Sequence, residues 1–148
     1  MVSIQNFEDL ESGNEIVFTV TDYWDGPLIG IANFQGKPHF YECIFDVAQD
    51  DYSDLYRLTP VDDPTFRLAM EDWEIWCRWE LAFHTGKAKM ESHPALPEDA
   101  GRHEELKNIL DRALQSSPSA IIQRGTFSAL GKSKAHGIRQ LQVKWTDR

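Results

Sequence analysis

Residues 64–86, PTFRLAMEDWEIWCRWELAFHTG, hold three tryptophans and two phenylalanines, with Pro and Gly confined to the two ends. Such a run reads as one long helix, and the rest of the chain must cover its rings. Asp62 or Asp63 can cap its start, Pro64 suits a first turn that needs no N–H, and Gly86 can close the far end. At about 100° per residue, Phe66, Ala69, Met70, Trp73, Trp76, Cys77 and Phe83 share one wide face. Arg67, Glu71, Glu74 and Arg78 fall opposite and form two i,i+4 pairs of opposite charge. Glu80 breaks the pattern. It projects from the apolar face, with Trp76 one turn before it and His84 one turn after.

On either side the hydrophobic period shortens from helix to strand. EIVFTVTDYW (15–24) alternates, with Ile16, Phe18 and Val20 on one side and Val17, Thr19 and Thr21 on the other. LIGIANF (28–34) and HFYECIF (39–45) are further strands behind the short turns DGP and QGKP, which favours antiparallel hairpins. DVAQDDYSD (46–54) reads as a solvated acidic loop, and LYRLTPV (55–61) as a fourth strand. After the long helix, KAKMESHPALPEDAG (87–101) is a proline-interrupted connection. HEELKNILDRALQSS (103–117) is a second helix that Pro118 ends. AIIQRGTFSAL (120–130) and IRQLQVKW (138–145) are two last strands, joined by the basic loop GKSKAHG (131–137).

Strand and helix runs are segregated, so the expected class is α+β. The expected architecture is a mostly antiparallel sheet of about six strands, a β-meander followed by two helices and two C-terminal strands. The long Trp-rich helix is expected to pack across one face. At 148 residues this is a single domain: a lead-in over 1–14, N-terminal strands over 15–61, a helical part over 63–117 and C-terminal strands over 120–146.

No apolar run approaches the roughly 18 residues that span a bilayer, and residues 1–15 lack a basic start and an apolar stretch. The expected setting is soluble and cytoplasmic, with Cys43 and Cys77 as reduced, buried thiols. The net charge of −9 is uneven: residues 1–80 carry 17 acidic against 4 basic side chains. That balance disfavours nucleic acid as a partner, because phosphate binding needs concentrated positive charge. The basic last thirty residues, with six Lys or Arg against one Asp, then pair with the acidic half, within the fold or across a homodimer.

Few motifs carry chemistry. G-x-S-x-G, GxGxxG, C-x-x-C and H-E-x-x-H are absent, and Gly131-Lys132-Ser133 lacks the earlier glycine of a P-loop. Five scattered histidines (39, 84, 93, 103 and 136) form no metal signature, and loop 46–54 lacks the glycine and closing Glu of a calcium loop. Neither a metal nor a cofactor is expected. Glu80 stands out, because a carboxylate on a dry face must be paired, protonated or set in a solvated cleft. With His84 or His39 it is a candidate catalytic acid or base. As a structural group it would cap an N–H or pair with an Arg of the last strands. Tyr23, Trp24 and Asp25 at a hairpin end, with Trp76, are candidate ligand-binding residues; Asp25-Gly26 alone is ordinary turn chemistry.

Residues 23–46, YWDGPLIGIANFQGKPHFYECIFD, and 73–79 resemble a group of small uncharacterised bacterial proteins. The shared features are an aromatic-Asp-Gly-Pro hairpin, a G-x-P turn, a Trp-rich helix and a final strand ending in Trp. The resemblance implies a bacterial, soluble, single-domain protein and supplies no activity.

The leading expectation is therefore a non-catalytic binding or regulatory protein that engages a protein or small molecule through an acidic, aromatic surface. The alternative is a small hydrolase or isomerase using Glu80 with His84 or His39 in a cleft between helix and sheet. A third reading is an acidic mimic of nucleic acid, which requires a carboxylate stripe across 42–63.

Overall fold

A computed structural model describes residues 10–131 and 140–148. Part of the expected lead-in, most of the basic loop with His136, and the start of the last expected strand lie outside these residues. Among the described residues there are six strands: β1 (Glu15–Tyr23), β2 (Pro27–Phe34), β3 (Lys37–Asp46), β4 (Asp51–Pro60), β5 (Ile121–Ala129) and β6 (Leu141–Asp147). Helices α1 (Asp63–His84) and α2 (Ala100–Ala113) lie between β4 and β5, linked through short 3-10 turns at Met90–Ser92 and Pro97–Asp99.

Every strand pairs antiparallel with its sequence neighbour, and β1 also pairs with β6. The sheet is thus a closed barrel, which overturns the expected open sheet with a helix laid across one face. An open sheet has two edges and two faces. A closed one has an inside, filled by one set of alternating side chains, and an outside. Here Val17, Leu28, Ala32, Phe34, Tyr41, Cys43, Tyr56, Leu58 and Val143 form the inner cluster, with Phe127 and Trp145 against it. The rings of Tyr41, Tyr56, Phe127 and Trp145 lie 5.3–6.4 Å apart, centre to centre. Polar tips inside the barrel are satisfied: Tyr41 donates to Thr19 O, Tyr56 to Pro27 O, and the Trp145 indole to Asn33 O. Burial pushes both phenols well above the usual tyrosine range.

The helices cover one outer flank. Ile16, Phe18 and Ile31 point out of the barrel into a second cluster with Ala69, Ile75, Ala95, Leu106 and Leu110. Asp62 caps α1 by accepting from the Thr65 N–H at 2.9 Å; hydrogen bonding from Thr65, side chain first and backbone second, holds its carboxyl below the usual carboxylate range, and Gly86 at φ 75° follows the helix end. The deepest positions of α1 are Ala69, Ile75, Cys77 and Trp79; Ile75 and Trp79 lie outside the face expected from the sequence. Trp79 is covered by the connection, where its indole donates to Ser92 Oγ at 2.9 Å, and it stacks with Phe83 one turn on along its own helix.

Two further expectations change. The acidic loop shrinks to a turn, because β3 and β4 run on to a terminal pair between Asp46 and Asp51. The charged face of α1 forms bonds to the next segment: Arg102 donates twice to Glu71 and Arg78 twice to Asp99.

Gly30 on β2 marks the tightest approach in the barrel wall. A methyl group there would come 2.1 Å from Thr19 O and 2.5 Å from the Tyr41 hydroxyl. The Gly30→Ala variant is therefore expected to lose about 2 kcal/mol or more of stability, measured as a lower urea midpoint.

Candidate functional site

Beyond the contact that buries Phe18 and Ile31, the helical layer leaves a cleft of about 810 Å³ against the outer barrel wall. One side is the end of β1 with the facing parts of β2 and β3, including Asp22, Tyr23, Ile29, Phe40 and Glu42. The other is α1 and α2 with the connection between them, including Asp72, Trp73, Trp76, His93, His103 and Lys107. Positions 72, 73 and 76 are adjacent or one turn apart on a helix, so all three can reach one side of α1.

Trp73 and Trp76 stack, with ring centres 4.8 Å apart and planes at 29°. Both are partly exposed. The Trp73 indole N–H is buried and has no acceptor among the described residues. Next to it in sequence, Asp72 accepts from or shares a proton with His103 Nδ1 at 2.7 Å, joining α1 to α2. Those two side chains are only 23% and 18% exposed. With Nδ1 held by the carboxylate, Nε2 of His103 is the ring nitrogen left without a protein partner among the described residues. Lys107 is 2.7 Å from Asp111 on the same helix, and that contact raises its ammonium above the usual range. Glu42 accepts from Ser116 at 2.8 Å and lies 3.9 Å from Arg57.

Glu80 and His84 are brought together, at 2.9 Å, and Glu80 keeps 16% of its side chain exposed. Its partner is thus its own helix, neither a backbone N–H nor an Arg of the last strands. His39 is buried on β3, bonded through Nδ1 to Lys37 O and packed edge-on to Phe34. None of these three lines the cleft. Of the candidate ligand-binding residues, Tyr23 and Trp76 do line it; Trp24 stands exposed, and Asp25 holds the hairpin turn at φ 53°.

Sequence reasoning missed Asp72, Trp73 as a cleft wall, and His103. Asp72 and His103 are 31 positions apart, and only the crossing of α1 over α2 joins them. A carboxylate at position 72 beside two Trp was visible as a polar interruption of the aromatic helix, the same signal that singled out Glu80.

Among the described residues no group of three or more His, Cys, Asp or Glu is placed to hold a metal ion. No helix among them is long and apolar enough to cross a membrane. Comparisons with protein-family models, curated proteins and solved structures found no match to this chain.

Both thiols are buried and free. Burial, with Glu74 and Glu80 nearby, pushes Cys77 up to about 12, and burial also raises Cys43, whose Sγ lies 3.1 Å from Ser53 O. Neither is expected to react with Ellman's reagent at pH 8 until denaturant is added, when both should titrate. A second expectation concerns acid. The Arg102 guanidinium holds Glu71 below the usual carboxylate range, so its stabilising effect is present above that range and is lost as pH falls through it. Glu71→Gln should lower the urea midpoint slightly at pH 7, and the difference from wild type should close as the pH is taken below the usual carboxylate range.

Proposed function

We propose that the protein is a non-catalytic binding protein of the bacterial cytoplasm, and that the cleft between barrel and helices is where it holds a ligand. The observation that carries this reading is the stacked Trp73–Trp76 pair forming one wall of an 810 Å³ cleft. That volume lies in the usual range for small-molecule sites, about 300–1,000 Å³, and partly exposed indoles offer large contact area at little entropic cost. Tyr23 and Phe40 supply rings on the barrel side, so a flat or apolar group would meet aromatic surface from both layers. Acidic groups at the rim then orient it.

A second reading has its own support. The Asp72–His103 pair has the form that orients a general base, a carboxylate on Nδ1 and a free Nε2. It replaces Glu80 with His84 or His39 as the acid–base candidate in the cleft. Nothing comparable favours mimicry of nucleic acid. The carboxylates between 42 and 63 largely serve the fold, as with Glu42 on Ser116, Asp46 on the turn N–H groups, Asp54 on Arg124 and Asp62 as a cap.

A ligand-observed NMR screen of a fragment library against the intact protein tests the binding reading. Hits are expected to compete with one another, to quench tryptophan emission, and to weaken by about ten-fold in Trp76→Ala, the loss of one aromatic contact of about 1.4 kcal/mol. Hits indifferent to Trp76 would overturn it. Hydrolysis or isomerisation of a hit that disappears in His103→Gln would establish the second reading in its place.

A further inference from the structure

We propose that the ligand class of this cleft is a small organic ammonium ion. The inference rests on the cleft being a binding site, and specifies the charge it selects. The lining carries four carboxylates, Asp22, Glu42, Asp72 and Asp111, against a single lysine, Lys107. That lysine is already occupied by Asp111 at 2.7 Å, so the pair contributes little field. Of the other three, Asp72 is shared with His103, which also lines the cleft, Glu42 lies 3.9 Å from Arg57, and Asp22 has no cationic partner among the described residues, so carboxylates still outweigh cations around the space.

Each keeps an oxygen to offer. Asp72 uses Oδ1 on His103 and leaves Oδ2 without a partner among the described residues; it is largely buried beside the Trp73–Trp76 stack. Glu42 commits Oε1 to Ser116 and Arg57 and leaves Oε2. Asp22 uses Oδ1 on the Tyr23 N–H and leaves Oδ2 at the rim. Charge and aromatic surface therefore coincide. The π-face of an indole attracts a cation and repels an anion, and a half-desolvated wall strengthens the effect. A carboxylate or phosphate ligand would meet a lining in which carboxylates outnumber the lysine. A neutral apolar ligand would leave the carboxylates to be desolvated with no new partner. A primary or substituted ammonium group satisfies them, with its hydrocarbon part laid on Trp73, Trp76 and Tyr23.

The test uses three probes of one skeleton: 2-phenylethylammonium, 2-phenylethanol and 3-phenylpropionate. Each is titrated into the full chain while the indole N–H resonances of the five tryptophans are followed by heteronuclear NMR. The ammonium is expected to shift the Trp73 and Trp76 signals with an affinity about ten-fold or more above that of the alcohol, the carboxylate being weakest. Asp72→Asn should reduce the ammonium affinity by about five-fold and leave the alcohol unchanged. Should Asp72→Asn fail to fold, Asp22→Asn at the exposed rim carries the same comparison with a smaller loss. Equal binding of ammonium and alcohol, or stronger binding of the carboxylate, overturns the cation selectivity and leaves the cleft as a binding site. Absence of any shift at Trp73 and Trp76 with the ammonium overturns the inference as well, and the fragment screen then decides the binding reading on its own.

Discussion

The seam between β1 and β6 is what the rest of the molecule depends on. It is short, with Glu15 opposite Val143, Ile16 opposite Gln142 and Val17 opposite Leu141. Gln142 reinforces it. Its side chain is 1% exposed, accepts from the Glu11 N–H at 2.9 Å and donates to Ala129 O at 3.0 Å. A buried amide with both ends satisfied ties three segments of chain at one point, and no apolar residue could do the same. The seam removes both sheet edges at once. It also brings Trp145 onto Tyr41, Tyr56 and Phe127, so the aromatic interior and the ring closure stabilise each other.

Much of this was legible in the sequence and closure was not. Strand alternation and turn chemistry locate strands, yet the same alternation serves an open sheet and a barrel, because both present one face inward at every second residue. The distinguishing signal was Ile16, Val17 and Phe18, three consecutive buried residues in a strand that an open, half-solvated sheet would leave polar on one side. Val17 faces the barrel interior and its neighbours face the helices. On α1 the error was similar. A single apolar stripe accounts for Ala69 and Cys77 but omits Ile75 and Trp79, which are buried because α2 and the 87–99 connection cover a second side of the helix.

The cleft was half legible for a related reason. Tyr23 and Trp76 announce themselves as aromatic residues near a turn and on a helix, and each lines the cleft. Glu80 and His84 announce themselves by spacing alone, and their pairing is local to one helix, so it says nothing about where that part of the helix sits. Asp72 and His103 belong to two helices whose crossing is fixed by Leu106, Leu110 and Ile75 and by the Glu71–Arg102 and Arg78–Asp99 bonds. Long-range packing decides which polar residues share a site, and periodicity within one element does not contain it.

The chain leaves the barrel after Pro60 and re-enters at Ile121, which sits opposite Leu58 on the strand just left. Departure and return are side by side, so both helices form an excursion between two hydrogen-bonded neighbours, and the six-strand ring is complete without them. The architecture therefore separates the ring from the segment that forms the other wall of the cleft. One wall of the cleft belongs to the ring and is bound by its geometry, while the indoles, Asp72 and His103 are all carried by the excursion. Change in that segment can therefore alter the indole and carboxylate side of the cleft while every rung of the ring stays in register.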